Sequence, residues 1–292
     1  MRFDRANESC RVSRARVLAL GCTLTWLVAG SAAAQPAEID QHTEAVVAEE
    51  FQEDVTTLNA SLGGQLNTGN TEAWQLNAGS AFALVRDRHG LALNMDFSYG
   101  RANVADDDAD ELVDTIRNLR TKARYDLFLT PMDALFAASA YRWDTFAGLD
   151  ARVQGQLGYM RNLFKETDHR FWAELGYDLT YDNYDPDPLL LDAADPMSAV
   201  LPGDEVVHSV RGFLGYDNQL SATVTFLTGL EGLFNVEETK DVRVNWDNAL
   251  RSSISGSFQL EMKFSLQLDT EPVPGKEKVD TATTLTLIYT LI

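Results

Sequence analysis

Apolar and polar residues alternate along most of this chain, and that alternation limits the folds available to it. The clearest stretch is FQLEMKFSLQLD, residues 258–269, in which every second side chain is apolar. A period of two residues places alternate side chains on opposite faces of a β-strand. Similar stretches recur from residue 55 to residue 292, and turn-forming segments such as GNT at residues 69–71 separate them. The pattern predicts an all-β fold of about twelve antiparallel strands, which opens with a hairpin.

The two faces of the predicted strands differ in polarity along their full length. One face is apolar, and the other carries charged, amide and hydroxyl side chains. A transmembrane up-and-down β-barrel has this pattern, because lipid contacts its outer surface, water or polar groups occupy its lumen, and its closure leaves no unpaired backbone edge in hydrocarbon. A soluble periplasmic β-protein is the alternative fold, and it would turn the apolar face inward.

Connection lengths and aromatic positions provide two further checks on the barrel. If both termini are periplasmic, the odd-numbered connections face outward and should be longer. ANVADDDADELV in the third connection and the segment from Asn183 to Glu205 in the seventh are long, whereas NLFKETDH in the sixth is longer than expected. Aromatic side chains form two predicted interfacial girdles: Trp74, Tyr99, Trp143, Tyr181 and Phe234 at the outer ends, and Tyr125, Tyr159, Phe171, Tyr216, Phe258 and Tyr289 at the periplasmic ends.

The N-terminal segment is predicted to be a signal peptide of residues 1–34. Five arginines precede an apolar run at residues 17–30, and small residues end at Ala34, where cleavage is expected. The apolar run is shorter than the roughly 20 residues that a membrane-spanning helix needs. Cleavage would leave a short periplasmic tail at residues 35–54 and a barrel at residues 55–292, exported to the outer membrane of a Gram-negative-type bacterium.

Charge and cysteine content exclude several classes of function. The chain has 24 basic and 44 acidic residues, a formal net charge of −20, which repels nucleic acid phosphates, so no nucleic acid partner is expected. Cys10 and Cys22 both lie in the leader, so the exported chain would have no disulfide, zinc thiolate or cysteine nucleophile. The histidines and the acidic loop residues lack the spacing of a metal site, and no cofactor is predicted.

An enzyme is not predicted, although a lipid-modifying enzyme stays an alternative. His208 is expected to project toward lipid near the outer end of its strand, as in lipid hydrolases of the outer membrane. Its neighbour Ser209 projects into the lumen, and the spacing places no serine, histidine and carboxylate on one face.

The polar faces of the strands provide the candidate site residues. The predicted lumen charges are Asp96, Arg120, Lys122, Arg124, Arg211, Arg243, Asp247, Arg251, Glu261 and Lys263. These charges predict either an interior closed by salt bridges or a narrow polar path for small solutes, since twelve strands lie between filled eight-stranded barrels and open sixteen-stranded ones.

Five large apolar residues occupy positions that are predicted to face the otherwise polar lumen. They are Phe136, Met160, Trp172, Phe213 and Leu227, and strand direction places them in the periplasmic half of the fifth to ninth strands. They would either form an apolar constriction that gates by dewetting or simply fill space in a narrow barrel.

Several motifs resemble the YdiY-like, salt-induced outer-membrane proteins, also called the domain of unknown function 481 family. They are Gly69-Asn70-Thr71-Glu72, ARYDLFLTPMDALFAASAYRWDTF, LGYMRN and the closing LTLIYTLI. The resemblance covers roughly residues 55 to 292 and implies a porin-like or structural outer-membrane barrel, linked to salt or envelope stress, without catalytic residues. Such a barrel would contact outer-membrane lipid and lipopolysaccharide, would be inserted by the barrel assembly machinery, and is expected to be a monomer.

Overall fold

The computed structural model describes residues 54–67, 73–103, 112–145, 149–184, 203–272 and 278–292. Within these ranges the chain forms twelve strands. They are β1 Val55–Asn67, β2 Ala73–Arg86, β3 His89–Asn103, β4 Leu112–Phe128, β5 Asp133–Asp144, β6 Leu149–Lys165, β7 His169–Tyr184, β8 Asp204–Ser221, β9 Val224–Asn235, β10 Val242–Ser253, β11 Phe258–Asp269 and β12 Val279–Thr290. The predicted signal peptide, periplasmic tail and GNT turn lie outside the described residues.

The strands form one closed antiparallel barrel in which each strand pairs with its neighbours in sequence. β1 and β12 close the barrel, with Asn59 opposite Thr290 and Gly63 opposite Thr286. β1 also pairs with β2 from Val55 to Asn67, which confirms the opening hairpin. The predicted all-β, up-and-down topology and its strand number are therefore confirmed. The described residues contain no helix that is both long and apolar enough to cross a membrane.

The outer surface of the barrel is apolar and its interior is polar. Large apolar side chains such as Leu157, Leu175 and Met262 are exposed on the outside, whereas Glu231 and Asp247 are fully buried inside. A soluble β-protein has the opposite arrangement, because it buries its apolar face. The distribution is that of a transmembrane barrel, whose outer face contacts lipid.

A bulge in β6 corrects the expectation of a long sixth connection. Asn162 and Phe164 pair with adjacent residues of β7, so Leu163 is the extra residue. Leu163 and Phe164 are consequently both exposed, which interrupts the alternation in sequence, yet the strand continues to Lys165. A bulge of this kind adds one residue without ending the pairing.

Most odd-numbered connections are longer than the even-numbered ones, although the fifth has four residues, as do the fourth and the tenth. The even-numbered connections are residues 87–88, 129–132, 166–168, 222–223 and 254–257, and the odd-numbered ones are residues 68–72, 104–111, 145–148, 185–203, 236–241 and 270–278. Asp87 in the two-residue turn has a φ of 51°, a conformation that aspartate tolerates. The short connections share the end of the barrel where β1 begins and β12 finishes, which we call the terminal end.

Candidate functional site in the barrel lumen

An apolar cluster fills one side of the lumen at the terminal end. It consists of Val85, Ala92, Phe128, Ala134, Phe136, Met160, Trp172 and Phe213, with Val55 packed against it. Four of the five predicted constriction residues therefore meet, whereas Leu227 is buried but lies outside this cluster. Four cluster residues were not predicted, although each occupies a lumen position in the alternation: Val85, Ala92, Phe128 and Ala134.

Two glycines make room for the largest side chains of the apolar cluster. A Cβ at Gly158 of β6 would lie 2.6 Å from Cζ of Phe136, and a Cβ at Gly215 of β8 would overlap the ring of Trp172. Each aromatic ring therefore packs against a glycine of a neighbouring strand. Trp172 in turn contacts Phe213, with ring centroids 5.9 Å apart. The glycines explain how rings of this size fit inside a barrel of twelve strands.

A buried ion network lies against the apolar cluster. Nη2 of Arg124 donates to Asp126 at 2.8 Å and to Glu174 at 3.0 Å, and Arg211 donates to both Glu174 and Glu231 at 2.6 Å. β4 and β7 are not neighbours in the sheet, so the contact between Arg124 and Glu174 crosses the lumen interior.

The same arginines also bind the network to the apolar cluster. The guanidinium of Arg124 lies 4.3 Å from the ring centroid of Phe136, and that of Arg211 lies 5.2 Å from the ring of Phe213. Such cation–π contacts strengthen when water is excluded. Asn245 of β10 extends the network by donating to Glu231 at 3.0 Å. The network joins β4, β7, β8, β9 and β10, and the cluster adds side chains of β2, β3, β5 and β6.

A cavity of about 210 Å³ remains on the opposite side of the lumen. Small polar side chains of β1, β2 and β12 form one wall: Thr57, Asn59, Ser61, Asn77, Thr284 and Thr286. Charged side chains of β3, β4, β5, β10 and β11 form the other: Asp96, Arg120, Lys122, Arg142, Arg251, Glu261 and Lys263. The lining extends from Gln75, near the far end of β2, to Ala83, near its terminal end. The cavity therefore follows much of the length of the barrel.

The predicted lumen charges divide between these regions. Asp96, Arg120, Lys122, Arg251, Glu261 and Lys263 line the cavity, and Arg124 and Arg211 belong to the buried network. Asp247 is buried behind Lys263, whose Nζ lies 3.4 Å from its Oδ2. Arg243 lies nearer the far end, within 4 Å of three carboxylates: Asp182 of β7, Asp269 of β11 and Asp241, which directly precedes β10. Arg142, Glu174 and Glu231 lie on the same polar faces but are not among the lumen charges that the sequence predicted.

The predicted lipid-facing histidine contacts a tyrosine hydroxyl on the outer surface and not the neighbouring serine. His208 is half-buried, and its Nδ1 forms a hydrogen bond with the hydroxyl of Tyr177, which also lies on the outer surface. Ser209 is buried on the lumen side. Serine and histidine therefore lie on opposite faces of β8, as the alternation predicts.

Three side chains with metal-ligating atoms lie together at the turn between β6 and β7. The atoms of Glu166, Asp168 and His169 lie within 4.8 Å of one another, and none of the three residues is buried. The hydrogen bond between His169 and Asp168, at 2.8 Å, lowers the pKa of the Asp168 carboxyl below its ordinary value. This turn is exposed and solvated, and it lies apart from the residues that line the cavity.

A closed antiparallel barrel with an apolar outer surface and a charged lumen is a transmembrane β-barrel of the outer-membrane type. The chain belongs to the family described as protein of unknown function, DUF481, whose model matches residues 60–291. This match confirms the resemblance noted in the sequence. No curated protein shows significant sequence similarity to the chain.

Several solved structures are similar to this barrel. The NanC porin covers 82% of this chain and 100% of its own, with 7% identity and a TM-score of 0.46. The translocator domain of the autotransporter NalP from Neisseria meningitidis covers 85% of this chain and 92% of its own, with 11% identity and a TM-score of 0.45. The COG4313 outer membrane channel from Pseudomonas putida F1 covers 81% and 95%, with 14% identity and a TM-score of 0.44.

Proposed function

We propose that this outer-membrane barrel passes small polar solutes through the narrow cavity that lies beside the apolar cluster and the buried ion network. The observation that carries the proposal is the cavity itself, about 210 Å³ in volume and lined by polar side chains along much of the barrel. A wall of hydroxyl and amide groups can replace part of the hydration shell of a passing solute. The small volume restricts such solutes to ions and small molecules.

The apolar cluster narrows this path from one side. None of Phe136, Met160, Trp172, Phe213 and Leu227 is among the described residues that line the cavity. The cavity is lined by β1, β2, β10, β11 and β12 and by residues of β3, β4 and β5 that lie farther from the terminal end than the cluster residues of those three strands. This separation supports the space-filling interpretation of these residues over a gate that seals the whole lumen.

Planar-bilayer conductance of the refolded protein tests the pathway. Ala81→Trp places a large ring in the cavity and should lower the conductance, because Ala81 is a lining residue. Ala60→Trp adds the same ring to the lipid-facing side of β1 and should leave the conductance unchanged. The combined variant Phe136→Ala and Trp172→Ala should raise the conductance, because it removes the narrowing from the opposite side.

A folded barrel that does not conduct would support a structural function instead. The observation that favours this second function is the buried network, in which Arg124, Glu174, Arg211 and Glu231 link β4, β7, β8 and β9. Folding of each preparation is checked by the change in gel mobility on heating. Ala81→Trp and Ala60→Trp with equal effects on the conductance would contradict the assigned path.

The barrel would be exported and would lie in the outer membrane with a defined orientation. Residues 1–34 would direct export, and the terminal end would face the periplasm of a Gram-negative-type bacterium. Lipid and lipopolysaccharide would contact the outer surface, where Trp74 packs against Tyr99 at 5.4 Å and Arg117 lies 5.2 Å from the ring of Trp143. Insertion by the barrel assembly machinery, a monomeric state and a link to salt or envelope stress belong to the same proposal, and no lipid-modifying activity is included.

A further inference from the structure

The ion pairs beside the cavity are oriented so that their cations are nearer the water. The side chain of Arg251 is 28% exposed and that of its partner Glu261 is 12% exposed. The side chain of Lys263 is 17% exposed, whereas its partner Asp247 is fully buried. Asp247 holds Lys263 from the side away from the cavity, whereas Glu261 lies beside Arg251 and also lines the cavity. Each ion pair has a net charge of zero, but the side chains that are exposed to the cavity are more positive than that.

The whole lining shows the same bias. Five cationic side chains line the cavity: Arg120, Lys122, Arg142, Arg251 and Lys263. Two carboxylates, Asp96 and Glu261, line it with them. Asp144 and Asp247 also lie nearby, but they are buried against Arg142 and Lys263 and do not line the cavity. An ion in the cavity therefore meets more cationic side chains than carboxylates.

Among the described residues that line the cavity, the opposite wall has no carboxylate. It consists of hydroxyl and amide side chains on β1, β2 and β12: Thr57, Asn59, Ser61, Asn77, Thr284 and Thr286. Hydroxyl and amide groups can donate hydrogen bonds to an anion. An anion would therefore meet cations on one side and neutral donors on the other.

The local field opposes the net charge of the chain, which is −20. Charges on the outer loops are screened over a Debye length of about 8 Å at physiological ionic strength. Charges that line a narrow cleft act on an ion at close range, because the surrounding low-dielectric walls focus their field. The lining, and not the net charge, should therefore decide which ions enter.

We propose that the cavity prefers small anions, namely inorganic anions and small carboxylates, over cations. This inference rests on the proposed pathway and names its substrate class. Potassium chloride is the probe, and the reversal potential across a planar bilayer with unequal salt on its two sides reports the preference. We expect chloride to permeate about fivefold better than potassium, which corresponds to about 1 kcal/mol.

Variants that make the cavity lining less positive or more positive test whether its charge sets the ion preference. Arg251→Gln combined with Lys263→Gln should lower the chloride preference, whereas Glu261→Gln should raise it. Thr284 faces Lys263 across the pairing of β11 and β12 and lies outside the described ion pairs. Thr284→Asp should therefore lower the preference and Thr284→Lys should raise it, even if the variants of the ion pairs fold poorly.

The outcomes separate this inference from the proposed pathway. Folded barrels that conduct without preference, or that prefer potassium, overturn the anion preference and leave the pathway in place. Folded barrels that do not conduct overturn both. A chloride preference that is the same in Thr284→Asp and Thr284→Lys would show that the ions do not pass this lining, and it would also overturn the inference.

Discussion

Introducing an arginine at either of two adjacent positions of β11, Phe264 or Ser265, tests which face of the barrel contacts lipid. Phe264 is 37% exposed on the outer surface, and Ser265 is 5% exposed on the lumen side. An arginine at a lipid-facing position near the middle of the membrane costs about 2–4 kcal/mol. Phe264→Arg should therefore lower the folding equilibrium constant roughly thirtyfold to several-hundredfold.

Ser265→Arg should be much less damaging. Ser265 lies opposite Asp247 in the pairing of β10 and β11, so the new guanidinium would be close to a buried carboxylate. Ser265 also borders the cavity, which provides room for a longer side chain. The arginine would thus remain in a polar environment, where charge is tolerated.

The measurement is the urea dependence of folding in lipid vesicles, followed by gel mobility before and after heating. Both variants are compared with the wild-type chain at the same lipid composition, and the midpoint and slope are fitted together. Equal destabilisation by the two substitutions, or a larger loss for Ser265→Arg, would refute the assignment of the faces.

Two further predictions concern the packing of the lumen and the lipid-facing histidine. Gly215→Ala should destabilise the barrel by about 1–3 kcal/mol, because its Cβ would overlap the ring of Trp172. The matched Gly212→Ala, whose Cβ would have no neighbour within 4 Å, should change urea stability little, and equal losses would contradict this packing. His208→Ala should remove the hydrogen bond to Tyr177 without changing the lipid composition of the outer membrane at equal barrel levels. Loss of a lipid product in that variant would favour a lipid-modifying enzyme.

The strand pattern was predictable because a two-residue period is a local property. The alternation in β11 identifies its lipid and lumen faces without any tertiary information. The same rule failed at the bulge at Leu163, where one extra residue places Leu163 and Phe164 on the same outer surface. Bulges depend on the pairing with the neighbouring strand, and the sequence of one strand does not reveal them.

The lumen residues were partly predictable for a related reason. The alternation of inward and outward side chains assigns Phe136, Trp172 and Phe213 to the interior, and strand direction places them toward one end of the barrel. The alternation could not show that Gly158 and Gly215 contact the rings of Phe136 and Trp172, because these contacts depend on the register between neighbouring strands.

The sequence by itself determined the fold class, the strand number and, away from the bulge at Leu163, which side chains face the lumen, because these follow from local alternation. Only the tertiary structure decided how the lumen is divided. Arg124 and Glu174 are 50 residues apart and lie on strands that are not neighbours, so their contact requires the closed barrel. Closure also sets the depth of each side chain, and depth decides whether a charge is buried in a network, as Arg211 is, or borders the cavity, as Arg251 does.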